Sequence, residues 1–234
     1  SPGVPETAWQ SDTYILRGGG EETYVPRFTF HGFRYVEVTG FPGTPDKGAI
    51  TGLAQHAAVD SAGSFECGND MFNKVQEVTR RTLLSNLFSV QSDCPHREKF
   101  GYGGDIVASS GMAMFNFDMT QFYIKSVRDL QDAVRPNGGF TETAPFVGIA
   151  DAGLGDKSGP IGWGTAHPLL LWQLHKFAGE KRLIAEQYSL VQRWIELLNS
   201  KAQDGLLDNG IGDHETLAEK STLGGIRRVT TQFS

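Results

Sequence analysis

The segment at residues 92–105 combines acidic, basic and aromatic side chains at high density. It reads Ser-Asp-Cys-Pro-His-Arg-Glu-Lys-Phe-Gly-Tyr-Gly-Gly-Asp and contains three carboxylates, Asp93, Glu98 and Asp105. Neighbouring carboxylates raise one another's pKa, and a carboxyl group with a raised pKa can act as a general acid near neutral pH. The ring of Tyr102 offers a face on which a pyranose can stack. The composition therefore predicts an acid–base site, although a solvated connector with capping aspartates would have a similar composition.

Other catalytic and metal-binding patterns are missing from the sequence. There is no Gly-x-Ser-x-Gly nucleophile elbow, which argues against Ser-His-Asp hydrolysis. Cys67 and Cys94 lack the spacing of a zinc site and are too few for a disulfide framework, so we expect reduced, partly buried thiols. His167 and His175 lie on one predicted helix without a third ligand, so no metal is expected. The glycines at 18–20 lack the GxGxxG spacing, and no cofactor is predicted.

Charge and composition limit the class of partner. The 234 residues carry a formal net charge of −6, and no cluster of Lys and Arg is present. A nucleic-acid partner is not expected, because phosphate neutralisation needs clustered cations. A neutral substrate such as a sugar fits this balance, and so do many other substrates. No apolar run reaches the roughly 18 residues of a membrane span, and the sequence leaves oligomeric state and localisation open.

The first 64 residues differ in pattern from the rest of the chain. Residues 1–64 are rich in glycine, proline and aromatic residues and have no helical periodicity. Phe28 and Phe30 alternate with polar residues, which predicts strands at about 24–30 and 33–38. Because about 50 residues cannot close a sandwich alone, we expect this segment to be the C-terminal part of a β-sandwich domain with further strands upstream.

From residue 65 onward the apolar spacing becomes helical. It predicts five helices, at about 69–90, 106–116, 118–130, 164–178 and 180–200. Asn69 or Asp70 is expected to cap the first of them. Two long connections, at 91–105 and 135–163, are rich in glycine and proline, and loops of this length are usually functional. We expect residues 65–234 to form helical hairpins arranged as a toroid.

The acidic segment also resembles a family signature. It is similar to the Asp-Cys-Pro-x-Arg-(Asp)-Glu-Arg-x-Gly-Trp-x-Gly-Asp motif of glycoside hydrolase family 78, the bacterial and fungal α-L-rhamnosidases. The matching residues are Asp93, Cys94, Pro95, Arg97, Glu98, Gly101, Gly104 and Asp105. Residues 159–164, Gly-Pro-Ile-Gly-Trp-Gly, resemble the family's Gly-Pro-x-Gly-Trp segment. The resemblance runs from about residue 10 to the end of the chain, and Asp-Cys-Pro is its most specific part.

The resemblance implies a fold, a substrate and a reaction. The family has an (α/α)6 six-hairpin barrel after β-sandwich domains, so residues 65–234 would form the first half of the barrel. It hydrolyses terminal α-L-rhamnosyl bonds with inversion, which implies a rhamnosylated glycoside or polysaccharide as substrate. Glu98 matches the family's general acid. Asp93 and Asp105 match the carboxylates that bind the rhamnose hydroxyls.

Other matched positions imply further contacts with the sugar. Arg97 and Tyr102 would help to shape the sugar site, and Trp163 matches a sugar-stacking tryptophan. Tyr102 stands where the family usually has Trp, and the motif is one residue shorter than its commonest form just before Glu98. The family's general base is a glutamate on a late barrel helix, which would fall beyond Ser234. The chain is therefore expected to be a fragment, about half of a catalytic domain.

Four residues outside the motif are further candidates for substrate contact. Glu142 and Asp151 lie in the second long connection, which should line the same cleft. Asp213 and His214 follow Gly-Ile-Gly and resemble the family's Gly-Asp-Trp segment, with His in place of Trp. Solvated loop charges, or an aspartate capping a turn, would explain the same residues without a site.

Two alternatives to rhamnoside hydrolysis stay open at the level of sequence. One is a non-catalytic carbohydrate-binding fragment that keeps the cleft and has no turnover. The other is an (α/α)6 glycosidase that acts on a different deoxy- or uronic sugar.

Overall fold

Helices form most of the regular structure of this chain. The computed structural model describes residues 9–148, 154–207 and 231–232. The helices within these ranges are α1 Asp70–Ser85, α2 Gly103–Asn116, α3 Thr120–Ala133, α4 Ile161–Gly164, α5 Ala166–Ala178 and α6 Arg182–Lys201. The strands are β1 Leu87–Phe88, β2 Val90–Gln91, β3 Leu206–Leu207 and β4 Thr231–Gln232. β1 pairs antiparallel with β2, and β3 with β4.

The first helix begins where the sequence predicts and ends earlier. The Asn69 side chain caps it by accepting a 2.9 Å hydrogen bond from the Met71 amide. The expected extension to residue 90 is wrong, because the helix ends at Ser85 and the chain turns into the β1–β2 hairpin. Ser89, at the turn of that hairpin, has a φ of 59°, which a helix cannot accommodate. The hairpin places Gln91 opposite Leu87 and leads directly into the acidic segment.

The core lies between α2, α3, α5 and α6. α5 is at its centre and contacts each of the other three, while α2 also contacts α4. α2 is the tightly packed inner helix that its small residues predict, with Ser110 and Ala113 fully buried. Leu170 and Leu174 of α5 are fully buried as well. This packing fixes the start of α2, which carries the end of the acidic segment.

α5 and α6 form a helical hairpin with a short connection. Gly179 follows α5 with a φ of 68°, and its amide donates a 3.0 Å hydrogen bond to the His175 carbonyl. A left-handed glycine after a helix is a common stop that satisfies the last free carbonyls. The Glu180 carboxylate then accepts a 3.0 Å hydrogen bond from the Leu183 amide at the start of α6. The chain reverses within a few residues, as the hairpin arrangement requires.

The strands expected at 24–30 and 33–38 are not formed. Between residues 9 and 60 the structure has no strand, and Phe28 has a φ of 57° and is fully exposed. A strand needs a neighbour for its backbone groups and a layer to cover its apolar face, and the described residues supply neither for this segment. Local contacts take their place, including a Tyr14–Tyr24 ring stack with centroids 4.6 Å apart.

A buried polar chain connects α3, α5 and α6. His167 on α5 is fully buried, its Nε2 lies 3.1 Å from Gln187 Oε1, and its ring stacks on Phe140. Gln187 in turn donates a 2.7 Å hydrogen bond to Gln131 Oε1 on α3. Burial lowers the pKa of His167 from 6.5 to about 4, so the imidazole is neutral in the folded protein near neutral pH.

This buried histidine predicts a loss of stability in mild acid. The pKa of His167 is lower in the folded than in the unfolded protein, so the stabilisation is complete above pH 6.5 and is lost as the pH falls towards 4. The loss between pH 6.5 and pH 5 should be about 2 kcal/mol. Urea unfolding across this range should show it, and His167→Asn should remove this component. An equally steep acid dependence in the variant would contradict the assignment.

No helix in the described part of the chain is long and apolar enough to cross a bilayer.

Candidate active site

Asp93 and Glu98 come together in the loop between β2 and α2. Ligand atoms of Asp93, Cys94 and Glu98 all lie within 4.8 Å of one another. The two carboxyl groups are therefore close neighbours, and all three residues are half-buried. Burial raises the pKa of Glu98, and the hydrogen bond and charge of Asp93 raise it further. A carboxyl in this environment holds its proton to a higher pH than a free glutamate does.

Backbone contacts close this loop and hold the two acids opposite each other. Asp93 Oδ1 accepts a 3.0 Å hydrogen bond from the Phe100 amide, and the Asp93 amide donates to the Phe100 carbonyl at 3.2 Å. The Glu98 amide donates to Cys94 Sγ at 3.3 Å. Lys99 follows with a φ of 59°, which turns the chain back. The four residues between the two acids are thus folded into a tight loop that brings the carboxyl groups close together.

Tyr102 contributes a third polar group to this site. Its hydroxyl donates a 3.2 Å hydrogen bond to Glu98 Oε1. Burial raises the pKa of Tyr102, and the charges of Glu98 and Glu142 raise it further. The phenol therefore stays protonated and acts as a donor. Since a hydrogen bond to the ionised form favours it, this contact lowers the pKa of Glu98 against the effect of Asp93.

Arg97 lies between Asp93 and Glu98 in the sequence, and Asp105 follows them. Asp105 was expected in a loop that runs to residue 105. α2 begins at Gly103, so Asp105 lies in the first turn of the helix. Burial raises the pKa of Asp105, and the charge of Asp93 adds to the rise. Arg97 is exposed, and its positive charge lowers the pKa of Glu98. The four ionisable groups therefore form one electrostatic cluster.

The second long connection packs directly on the start of α2. The Gly103 amide donates a 2.9 Å hydrogen bond to the Glu142 carbonyl, and the Ala144 amide donates to the Gly101 carbonyl at 2.9 Å. A Cβ on Gly103 would overlap the Trp163 carbonyl oxygen, and one on Gly104 would lie 2.7 Å from the Trp163 indole. Glycine is required at both positions because the two segments approach so closely.

This contact brings two sequence candidates to the acidic segment. Trp163, which was expected within the loop at 135–163, lies in the short helix α4 with its indole against Gly104. The Glu142 side chain is buried, and its charge contributes to the raised pKa of Tyr102. The candidates Asp151, Asp213 and His214 lie outside the described residues.

The sequence did not indicate that the N-terminal segment reaches the acidic loop. Lys99 Nζ donates a 2.7 Å hydrogen bond to the Phe30 carbonyl and lies 4.4 Å from the centroid of the Phe30 ring. That ring stacks on Phe88 of β1, with centroids 3.8 Å apart. The Cβ position of Gly32 lies 3.0 Å from His96 Cβ. The alternation of Phe28 and Phe30 was interpreted as a strand face, whereas Phe30 is in fact a contact to the loop.

Asp93, Cys94 and Glu98 are also the three described residues that offer metal ligands within reach of one another. Three protein donors match the number in an open catalytic zinc site. Acidic side chains commonly lie this close together without a cation, so the grouping alone does not define a metal site. Cys67 and Cys94 are both free and half-buried, as expected from the sequence. Asp93 and Glu98 are therefore described as two neighbouring carboxyl groups.

Comparison with known proteins gives matches over most of the chain. The sequence profile of the bacterial alpha-L-rhamnosidase six-hairpin glycosidase domain matches residues 60–225. The profile of the bacterial alpha-L-rhamnosidase concanavalin-like domain matches residues 5–56. An alpha-L-rhamnosidase of Streptomyces avermitilis is 39% identical over 218 residues, which are 92% of this chain and 20% of that protein. One from Formosa agariphila is 32% identical over 206 residues, 86% of this chain and 22% of that protein.

Solved structures give the same result for the fold. An alpha-L-rhamnosidase from Dictyoglumus thermophilum matches with a TM-score of 0.77 at 36% identity, covering 87% of this chain and 23% of that one. The Streptomyces avermitilis alpha-L-rhamnosidase in complex with L-rhamnose matches with a TM-score of 0.77 at 37% identity, covering 85% of this chain and 19% of that one. The helical hairpins fit the toroid of these proteins, and the chain spans about a fifth of the length of the relatives it matches. The chain belongs to the family of bacterial alpha-L-rhamnosidase six-hairpin glycosidase domains.

Proposed function

We propose that this protein hydrolyses terminal α-L-rhamnosyl bonds with Glu98 as the general acid. The observation that carries the proposal is the position of Glu98 within 4.8 Å of Asp93 in a half-buried loop. Burial raises the pKa of Glu98, and Asp93 raises it further. A general acid must hold a proton at the working pH and lose it to the leaving group in the transition state. A half-buried carboxyl beside a second carboxyl is favourable for the first requirement, because both effects raise its pKa. Tyr102 and Arg97 meet the second, because both stabilise the carboxylate that remains.

The proposed reaction is a single displacement with inversion. The Glu98 proton passes to the glycosidic oxygen as its bond to the anomeric carbon breaks. Water attacks the anomeric carbon from the opposite face and gives its proton to a general base. Asp93 is too close to Glu98 for that role, because its ligand atom lies within 4.8 Å and an inverting pair stands about 6.5–9.5 Å apart. The resemblance to glycoside hydrolase family 78 implies a glutamate of a later barrel helix as the base, and we propose that such a residue, outside these 234 residues, takes this role.

The other polar residues of the cluster are proposed to hold the sugar. Asp93 and Asp105 would accept hydrogen bonds from rhamnose hydroxyls, and Arg97 and Trp163 would line the same site. The packing of the Trp163 indole against Gly104 supports a common site for these residues. The relative that was solved in complex with L-rhamnose supports this sugar as the ligand. A rhamnosylated glycoside or polysaccharide is the proposed substrate.

We also propose a division of the chain into two parts. Residues 1–64 would form the C-terminal part of a β-sandwich domain, and residues 65–234 the first half of the (α/α)6 barrel.

A panel of aryl glycosides tests the proposed substrate. The full-length protein should hydrolyse 4-nitrophenyl α-L-rhamnoside at least 100-fold faster, in kcat/KM, than the α- and β-glucosides and glucuronides. If two carboxylates of the site accept hydrogen bonds from rhamnose hydroxyls, the enzyme rejects a sugar whose hydroxyls are arranged differently. Buried polar groups of the site are then left without a partner. Preferred hydrolysis of a glucuronide would instead identify a related glycosidase for another sugar. Binding of rhamnose with no turnover of any glycoside would favour a carbohydrate-binding role.

A further inference from the structure

We propose that Tyr102 is a positioning residue for Glu98, whose hydroxyl orients the carboxyl of the general acid and sets the pH range in which it donates. The acid role of Glu98 is the proposed function, and the present inference rests on it. A role for Tyr102 as a stacking surface would need only the aromatic ring. The positioning role needs the hydroxyl, so the two can be separated by experiment.

The first support is the geometry of the hydroxyl and of the backbone that carries it. The Tyr102 hydroxyl lies 3.2 Å from Glu98 Oε1, which makes this a long O–H···O hydrogen bond. Tyr102 immediately precedes α2 and forms an antiparallel bridge with Thr143 of the second long connection. The Gly103 amide donates to the Glu142 carbonyl on that same connection. The second long connection therefore holds the backbone at Tyr102 and Gly103 in place beside the acidic loop.

The second support is the set of charged groups around the pair. Within the acidic loop, Asp93 raises the pKa of Glu98 and Arg97 lowers it. From the second connection, Glu142 acts on Tyr102 and helps to keep its hydroxyl protonated. Tyr102 is therefore a neutral donor at every pH at which Glu98 titrates. Its hydrogen bond favours the ionised carboxylate, which is the form that Glu98 takes after it has given up its proton.

The sign of the expected effect follows from this preference. Without the hydroxyl, burial and Asp93 act on Glu98 with less opposition, so its pKa rises. A general acid works in its protonated form, so the basic limb of the pH–rate profile moves to higher pH. One hydrogen bond contributes about 0.5–1.5 kcal/mol. On the basic limb, the protonated share of Glu98 should therefore grow roughly two- to tenfold.

The experiment compares Tyr102→Phe with Tyr188→Phe in the full-length protein. Tyr188 is an exposed residue of α6 and serves as the matched control. The Glu98 carboxyl is titrated by ¹³C NMR in the absence of substrate, and kcat and KM for an aryl α-L-rhamnoside are measured against pH. Tyr102→Phe should raise the titration midpoint of Glu98 and move the basic limb of the pH–rate profile to higher pH. It should also lower kcat at the optimum pH and change KM less than twofold. Tyr188→Phe should change none of these.

The outcomes separate this inference from the proposed function. An unchanged Glu98 titration and an unchanged basic limb in Tyr102→Phe would overturn the positioning role, and so would a rise in KM alone. Absence of rhamnoside hydrolysis by the unmodified protein would refute the proposed function, while the NMR titration would still decide whether Tyr102 controls Glu98. If Tyr102→Phe does not fold, fluorotyrosine at position 102 replaces it. Its stronger donor should lower the Glu98 titration midpoint, and an unchanged midpoint would refute the proposal.

Discussion

Replacing Glu98 by Gln should lower kcat/KM for an alkyl or flavonoid α-L-rhamnoside by about 10²–10⁴-fold, while the protein still binds rhamnose. General acid catalysis typically contributes a factor of this size. Gln has nearly the same shape as Glu, and its amide oxygen can still accept the Tyr102 hydrogen bond that Glu98 Oε1 accepts. The loss would therefore come from the missing proton. Steady-state kinetics and calorimetric titration with L-rhamnose measure the two quantities.

The matched control for this variant is Glu196→Gln. Glu196 is an exposed residue of α6, so its substitution by Gln removes the same charge at a position outside the acidic segment. It should retain the unmodified rate within about twofold. Turnover by Glu98→Gln at a rate close to that of the control would remove Glu98 from the acid role.

Gly103→Ala should destabilise the protein by about 1–3 kcal/mol and reduce hydrolysis at least tenfold. The new Cβ would overlap the backbone carbonyl of Trp163, and backbone atoms move less easily than the end of a flexible side chain. α2 or the second connection must then shift. Such a shift breaks the hydrogen bond from the Gly103 amide to the Glu142 carbonyl and displaces Trp163 from Gly104. Urea unfolding and kcat/KM measure the two effects.

Gly111→Ala is the matched substitution on the same helix. A Cβ at this position would meet only the Gln173 amide nitrogen, at an ordinary distance of 3.8 Å. Because alanine is the better helix former, Gly111→Ala should be neutral or stabilise by up to about 1 kcal/mol. If the two variants were equally stable and active, the close approach of α2 to Trp163 would have no energetic consequence.

The sequence predicts the helices of this chain well because their signals are local. Asn69 caps α1, the small residues of α2 lie in the core, and Gly179 separates α5 from α6. The predictions are wrong where the local structure depends on contacts with residues distant in the sequence. The apolar positions up to residue 90 continue the spacing of α1 past Ser85, but the chain instead forms a hairpin that packs Phe88 on Phe30. The predicted strands at 24–30 and 33–38 likewise depend on neighbours that the described residues do not provide.

The candidate site shows the same division between local and long-range information. The spacing of Asp93 and Glu98 predicted two nearby carboxylates, and the loop brings their oxygen atoms within 4.8 Å of each other. Resemblance to a known signature singled out Trp163, but it carried no information on its packing against Gly104. The hydrogen bond from Tyr102 to Glu98 and the contact of Lys99 with Phe30 depend on how the loop turns. Neither contact could be derived from residue types alone.

The most direct test of Glu98 as general acid is the dependence of the Glu98→Gln defect on the leaving group. Leaving groups with a low pKa, such as 2,4-dinitrophenol, depart without protonation, whereas alcohols need the proton that Glu98 supplies. The kcat/KM ratio of unmodified protein to variant should fall from about 10²–10⁴ with an alkyl rhamnoside to within about tenfold with 2,4-dinitrophenyl α-L-rhamnoside. An equal loss with both substrates, in a variant that still binds rhamnose, would show that Glu98 does not protonate the leaving group.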